Sequence, residues 1–260
     1  MSILFGPAGL GPADEAENVL DKLHKKGLKA CEVSFTYSVY LKPEDAERIG
    51  RKARELGIEL SIHGSYFINL NASDKAKLGA SKQRILSACK IGELLGAKCV
   101  VFHPGFYGKE KDREKAYENI KKAMLELMEI RKEKGWKIEL APETMGKINV
   151  FGSVEETSRL VKETGCGFCI DFAHILAREK SVDYEKVKKA FPRKNWHVHF
   201  SGIVYGEKGE RHHKATEKKE WRELLEELKK SGRNVRLVNE SPTPFEDAVD
   251  GLKVWEGLKD

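Results

Sequence analysis

The chain has 260 residues, a formal net charge of +6, and 34% charged against 40% hydrophobic residues. That is enough to bury a sizeable core and suits one large β/α barrel as well as two small domains. No apolar run reaches the roughly 18 residues of a membrane span and no basic-then-apolar leader follows Met1, so a soluble, intracellular, cytoplasmic protein is expected.

Short apolar runs alternate with longer amphipathic ones. The apolar, β-branched pattern predicts strands over 3–8, 30–35, 59–64, 99–103, 137–143, 167–171, 196–200 and 235–240. Between them, Pro12-Ala13-Asp14-Glu15 opens a helix that stops at Gly27, and Pro43-Glu44-Asp45 opens one that stops at Gly57. Helices over 73–95 and 112–134 are the longest, and Ser153-Val154-Glu155-Glu156 reads as a capping box. Near-continuous apolar strands alternating with helices imply a parallel sheet covered on its outer face. Eight such units predict closure as a (β/α)8 TIM barrel, with an open doubly wound sheet as the alternative. No linker, repeat or low-complexity segment divides the chain, so one domain over 1–260 is expected.

Five cysteines, an odd number, argue against a disulfide framework, because Cys31, Cys99 and Cys169 lie inside strand-like runs. The pair Cys166 and Cys169 has no second C-x-x-C to complete a zinc site and reads as strand packing. The mildly basic balance fits an ion-pair-rich surface as well as a polyanion binder. It gains meaning only if the catalytic end is carboxylate-rich, since the excess positive charge then lies elsewhere and can face phosphates.

Barrel enzymes place their chemistry at the C-terminal strand ends. Here the third to eighth strands end in His63, His103, Glu143, Asp171 with His174, His199, and Glu240. One strand-end histidine would be an ordinary polar contact, but six consecutive strands ending in His, Asp or Glu are not a chance pattern. Of eight histidines, only His24 sits on an ordinary helix. Imidazoles and carboxylates in one mouth suit divalent zinc, manganese or iron. Seven such donors exceed the four that one tetrahedral ion takes, which implies a cluster. The polar loop over 206–213 adds Glu210 and His212.

These residues carry a resemblance. His63-Gly64-Ser65-Tyr66-Phe67-Ile68-Asn69, Phe102-His103-Pro104-Gly105, Pro142-Glu143-Thr144-Met145-Gly146, Cys169-Ile170-Asp171 followed by His174, and Asn239-Glu240-Ser241-Pro242 occur in order. The set resembles the endonuclease IV family of apurinic/apyrimidinic endonucleases, among the xylose-isomerase-like barrels. That resemblance implies a three-zinc phosphodiesterase, with manganese or iron as alternatives, that cuts double-stranded DNA on the 5′ side of abasic sites. It implies a first zinc on His63, His103 and Glu143. Glu143 would bridge to a second on Asp171, His199 and Glu240, and a third would sit on His174, Glu210 and His212. A metal-bridging hydroxide would attack phosphorus, with Glu143, Asp171 and Glu240 as the catalytic carboxylates and Tyr66 as the DNA-penetrating aromatic. Double-stranded DNA is the expected partner, with nucleoid association when on DNA; no membrane is expected, and the sequence points to no particular partner protein.

The chain departs from the family at Glu210, where Asp is usual, and at Ser201-Gly202, where Asn-Asp is usual. The loop after the second strand, 35–41, lacks the family's arginine-bearing insert, and the opening Phe5-Gly6-Pro7 lacks its histidine. Basic residues Lys42, Lys82, Arg84, Lys109, Lys111, Arg113 and Lys147 are candidate phosphate contacts, although a solvated face is the ordinary reading of such charges. The competing expectation is a metal-dependent sugar isomerase or epimerase on the same barrel. It would need about four metal ligands and leave His174 and the His212-His213 pair without employment.

Overall fold

A computed structural model describes residues 1–109 and 111–258; Glu110, Lys259 and Asp260 of the expected 1–260 unit lie outside the described residues. In chain order the elements are β1 (Ile3–Pro7), α1 (Ala16–Lys25), β2 (Ala30–Ser34), α2 (Pro43–Glu55), β3 (Glu59–His63), α3 (Lys75–Leu95), β4 (Cys99–Phe102), α4 (Arg113–Glu133), β5 (Glu139–Pro142) and α5 (Val154–Thr164). They continue as β6 (Cys169–Asp171), α6 (Phe172–Glu179), α7 (Tyr184–Ala190), β7 (Asn195–Phe200), β8 (Gly202–Gly206), β9 (Gly209–Lys214), α8 (Lys218–Ser231), β10 (Asn234–Asn239) and α9 (Pro244–Glu256). Among the described residues no helix is long and apolar enough to cross a membrane.

The barrel follows from local chemistry that the sequence displays. The strands are almost wholly buried, because helices cover their outer ends and neighbouring strands fill the interior. Each helix turns an apolar stripe inward, as α1 does with Ala16, Leu20 and Leu23. Ser153 and Glu156 form the expected capping box, and α3 and α5 stop at left-handed Gly96 and Gly165. Trp221 on α8 packs edge-on against Phe5 and Phe200, ring centroids 6.1 and 5.2 Å away, which ties α8 to β1 and β7.

Eight parallel strands make two arcs, β2-β3-β4-β5 and β6-β7-β10-β1. The arcs meet at two seams, each bridged by a parallel pair, Ala8 with Glu32 and Glu143 with Cys169. At the first seam a Cβ on Gly6 would lie 1.8 Å from the Ala30 carbonyl oxygen, so only glycine lets β1 close on β2. Register then sets the site: His63 lies opposite Val101, and Asp171 and Val238 lie opposite His199. All C-terminal strand ends therefore reach one rim together.

The stretch 206–213, read from sequence as a loop, belongs to an antiparallel hairpin, β8–β9, standing on that rim. Its ladder slips between Val204 and Tyr205: Tyr205 faces Glu210, but Val204 faces His212, which leaves Arg211 as the extra residue. Gly209, in a left-handed conformation, presses against the loop after β5; a Cβ there would lie 2.1 Å from the Gly146 carbonyl oxygen.

Candidate metal centre

Three groups of donor atoms converge at the C-terminal mouth, each with its atoms within 4.8 Å of one another, and each could hold a metal ion. The first is His63, His103 and Glu143; the second Glu143, Asp171, His199 and Glu240; the third His174, Glu210 and His213. Glu143, fully buried, belongs to two of them: Oε2 lies 3.4 Å from His63 Nε2 and 3.1 Å from His103 Nε2, while Oε1 lies 3.1 Å from His199 Nδ1. His199 Nδ1 is also 3.4 Å from Glu240 Oε1. His174 Nε2 is 3.5 Å from Glu210 Oε2, and its Nδ1 lies 3.4 Å from Asp171 Oδ2.

The donor chemistry fits divalent ions. Carbonyl oxygens only accept, so His63 Nδ1, 2.8 Å from Gly64 O, and His174 Nδ1, 3.0 Å from Thr144 O, must carry their protons. That turns the Nε2 of each ring toward the donor groups, where it can ligate once its own proton is displaced, the arrangement expected of metal-ligating histidines. Ser201 works alike on His213: its hydroxyl donates to Gly202 O, so it accepts from His213 Nδ1 at 2.6 Å and leaves Nε2 facing Glu210. Asp171 Oδ1 accepts the His174 backbone N–H at 2.7 Å, but Oδ2 is buried with no hydrogen-bond partner among the described residues. Burial pushes the Asp171 carboxyl up even though the His174 ring lies 3.4 Å from Oδ2, and a cation among the donors would offset that cost.

The histidine predicted from the hairpin is corrected by one residue. His213, not His212, stands with His174 and Glu210, while His212 is solvent-exposed. Strand alternation alone would put Glu210 and His212 on one face; the extra residue Arg211 reverses the parity and brings His213 inward instead. The other predicted residues, His63, His103, Glu143, Asp171, His174, His199, Glu210 and Glu240, are brought together. Tyr66 is 59% exposed at the rim, its ring 6.0 Å from His63 and 5.9 Å from His103.

His213, Ser201 and a lower layer formed by Glu32, Ser61 and His197 join the site without having been expected from the sequence. A signal for that layer was present: Glu32 is a lone carboxylate inside the apolar run Ala30-Cys31-Glu32-Val33, and His197 shares the inward face of β7 with His199.

The charges shift one another strongly. Burial alone would raise the Glu143 carboxyl, but His199, His103 and His174 hold it well below the usual range. Burial pulls His63 and His174 down, yet the carboxylates around them win. Glu143 is chief among these at His63 and Asp171 at His174, and the rings rise to about 9 and about 10. Both rings are therefore protonated at neutral pH without metal, and an ion must displace their protons. Metal uptake at pH 7 is expected to release at least two protons, from His63 and His174, and to tighten as pH rises toward about 9 to 10. Calorimetric titration in buffers of different ionisation enthalpy checks this; uptake that releases no protons between pH 6 and 8 would contradict it.

A family model described as the xylose isomerase-like TIM barrel matches residues 20–258. The chain belongs to that family. It is similar to an uncharacterized protein of Methanocaldococcus jannaschii, 35% identical over 273 residues with 98% of each chain covered. It is also similar to an endonuclease 4 homolog of Dictyostelium discoideum, 26% identical over 191 residues; the match takes in 66% of this chain but only 35% of that protein. Among solved structures, endonuclease IV of Thermus thermophilus aligns at TM-score 0.69 and 21% identity, covering 99% of this chain and 98% of that one. A D-psicose 3-epimerase of Clostridium cellulolyticum aligns at the same 0.69 and 14% identity, covering 100% and 97%. Likeness of backbone therefore does not discriminate between endonuclease and epimerase, since proteins of both kinds share this fold.

Proposed function

We propose that this protein is a zinc-dependent phosphodiesterase that cuts double-stranded DNA on the 5′ side of abasic sites, with the three donor groups as a multinuclear centre. The observation that carries the reading is the third group. A sugar site with one or two ions has no use for His174, Glu210 and His213 beside a complete first and second set. The resemblance of the strand-end motifs and the match to an endonuclease 4 homolog support the same class.

When bound, divalent ions neutralise charge that builds on a phosphodiester in the transition state and lower the pKa of water at the site. The chain's own residues do the rest. Glu143 offers one oxygen to each of two neighbouring groups and so fixes their spacing. Asp171, His199 and Glu240 complete the second group, and His174, Glu210 and His213 the third. Backbone carbonyls and Ser201 hold the imidazole protons away from the centre, leaving lone pairs inward. Tyr66 stands between this centre and solvent, where a backbone distorted at a missing base would approach.

The test is to load the protein with zinc and incubate it with a duplex carrying one tetrahydrofuran abasic analogue, an undamaged duplex, and D-psicose or D-fructose. A single nick beside the analogue, with no epimerised sugar, is expected. Sugar turnover without a nick would replace the reading with the epimerase one.

A further inference from the structure

Below the donor groups, the barrel interior holds a second polar layer that the proposed chemistry does not use. Glu32, fully buried on β2, accepts from Ser61 Oγ at 2.8 Å and lies 3.3 Å from His197 Nε2. His199 Nε2 points at the same carboxylate, 3.2 Å from Oε2 and 3.1 Å from Oε1. Arg236 Nη1 lies 3.3 Å from His197 Nδ1, and Arg236 is itself held by Glu59 at 2.6 and 3.0 Å. Arg236 and His197 line a cavity of about 570 Å³ at the opposite mouth of the barrel. A continuous chain thus runs from Glu59 through Arg236, His197 and Glu32 to His199.

The protons in this chain can be assigned by elimination. A guanidinium only donates, so His197 Nδ1 accepts and its Nε2 carries the proton that Glu32 receives. Cys169, His197 and His199 form a further close group of donor atoms, but this assignment leaves His197 no lone pair for a metal. Glu32 is therefore the acceptor of the layer and not a fellow ligand. Burial of the Glu32 carboxylate adds little to stability by itself, since its desolvation offsets much of its pairing energy.

We propose that Glu32 is a positioning residue of the metal centre: it holds the His199 proton on Nε2, so that the Nδ1 lone pair faces Glu143 and Glu240. His197, fixed by Arg236, keeps the carboxylate from turning away. The inference rests on reading the upper groups as a metal centre, but not on what that centre cleaves. A carboxylate behind a ligating imidazole fixes its tautomer and raises its basicity, and losing it costs about 10- to 100-fold in metal affinity.

The experiment uses zinc-loaded, ¹⁵N-histidine-labelled protein. Long-range ¹H–¹⁵N correlation is expected to show His199 protonated at Nε2, with zinc shifting Nδ1. Competition with a chromophoric chelator should then show zinc held about 10- to 100-fold more weakly in Glu32→Gln, and part of that loss recovered in Glu32→Asp. The cobalt-substituted absorption bands should move in Glu32→Gln. A His199 protonated at Nδ1, zinc affinity unchanged in Glu32→Gln, or a parent protein that takes up no zinc would each overturn the proposal. If Glu32→Gln fails to fold, the parent spectrum still decides. The same samples separate the two readings: zinc-loaded parent with the expected tautomer but no nicking would sink the phosphodiesterase and leave Glu32 in place.

Discussion

Glu143→Ala is expected to strip the centre of metal and to lower cleavage of an abasic duplex on the order of a thousandfold or more. Among the described residues no other side chain in the mouth offers oxygens to both the first and second groups, so its loss leaves His63 and His103 without a carboxylate and removes the shared ligand of His199. The metal-free protein should suffer as well. Four imidazoles, those of His63, His103, His174 and His199, lie 3.1 to 3.5 Å from Glu143. Removing the anion from such a buried arrangement costs about 3 to 5 kcal/mol. Metal analysis, thermal melts with and without chelator, and the nicking assay together check this. A variant that keeps its full complement of metal would show that Glu143 is a neighbour of the centre and not its hub.

The second large effect separates two adjacent residues. His213→Ala is expected to lose about one ion per chain and about a hundredfold in cleavage rate, because it removes one of the three donors of the group around His174. His212→Ala should remain within about twofold of the parent in both, since its ring is exposed on the far side of the ribbon. Metal counting on the two variants side by side decides it. Equal losses would mean that the bulge at Arg211 does not set which histidine turns inward.

Most of the barrel was legible because apolar period, helix caps and strand-end residues agree along the chain. Eight predicted strands fall on the eight barrel strands, with ends moved by a few residues. The site was legible where a donor stands at a strand tip, since strand parity and barrel closure are then enough to bring it to the mouth, as for His63, Glu143 and Glu240. It was illegible in two kinds of place. A bulge reverses parity without a marked residue, so Arg211 gave no warning that His213 would replace His212. The interior layer depends on contacts across the barrel: Glu32 and His197 are separated by 165 residues, and only closure makes them neighbours.

The two seams give the mouth a mechanical role. His63, His103 and Glu143 come from the β2–β5 arc, and Asp171, His199 and Glu240 from the other, with the Glu143–Cys169 bridge between them. An ion shared through Glu143 would be gripped from both sides of a joint that the described backbone crosses with a single bridge. Such a rivet stabilises the closed ring over any form that gapes along that joint, by an amount that grows with ion concentration. With metal bound, the half-barrels would be stapled by the same atoms proposed to do the chemistry, and a chelator would loosen the cylinder.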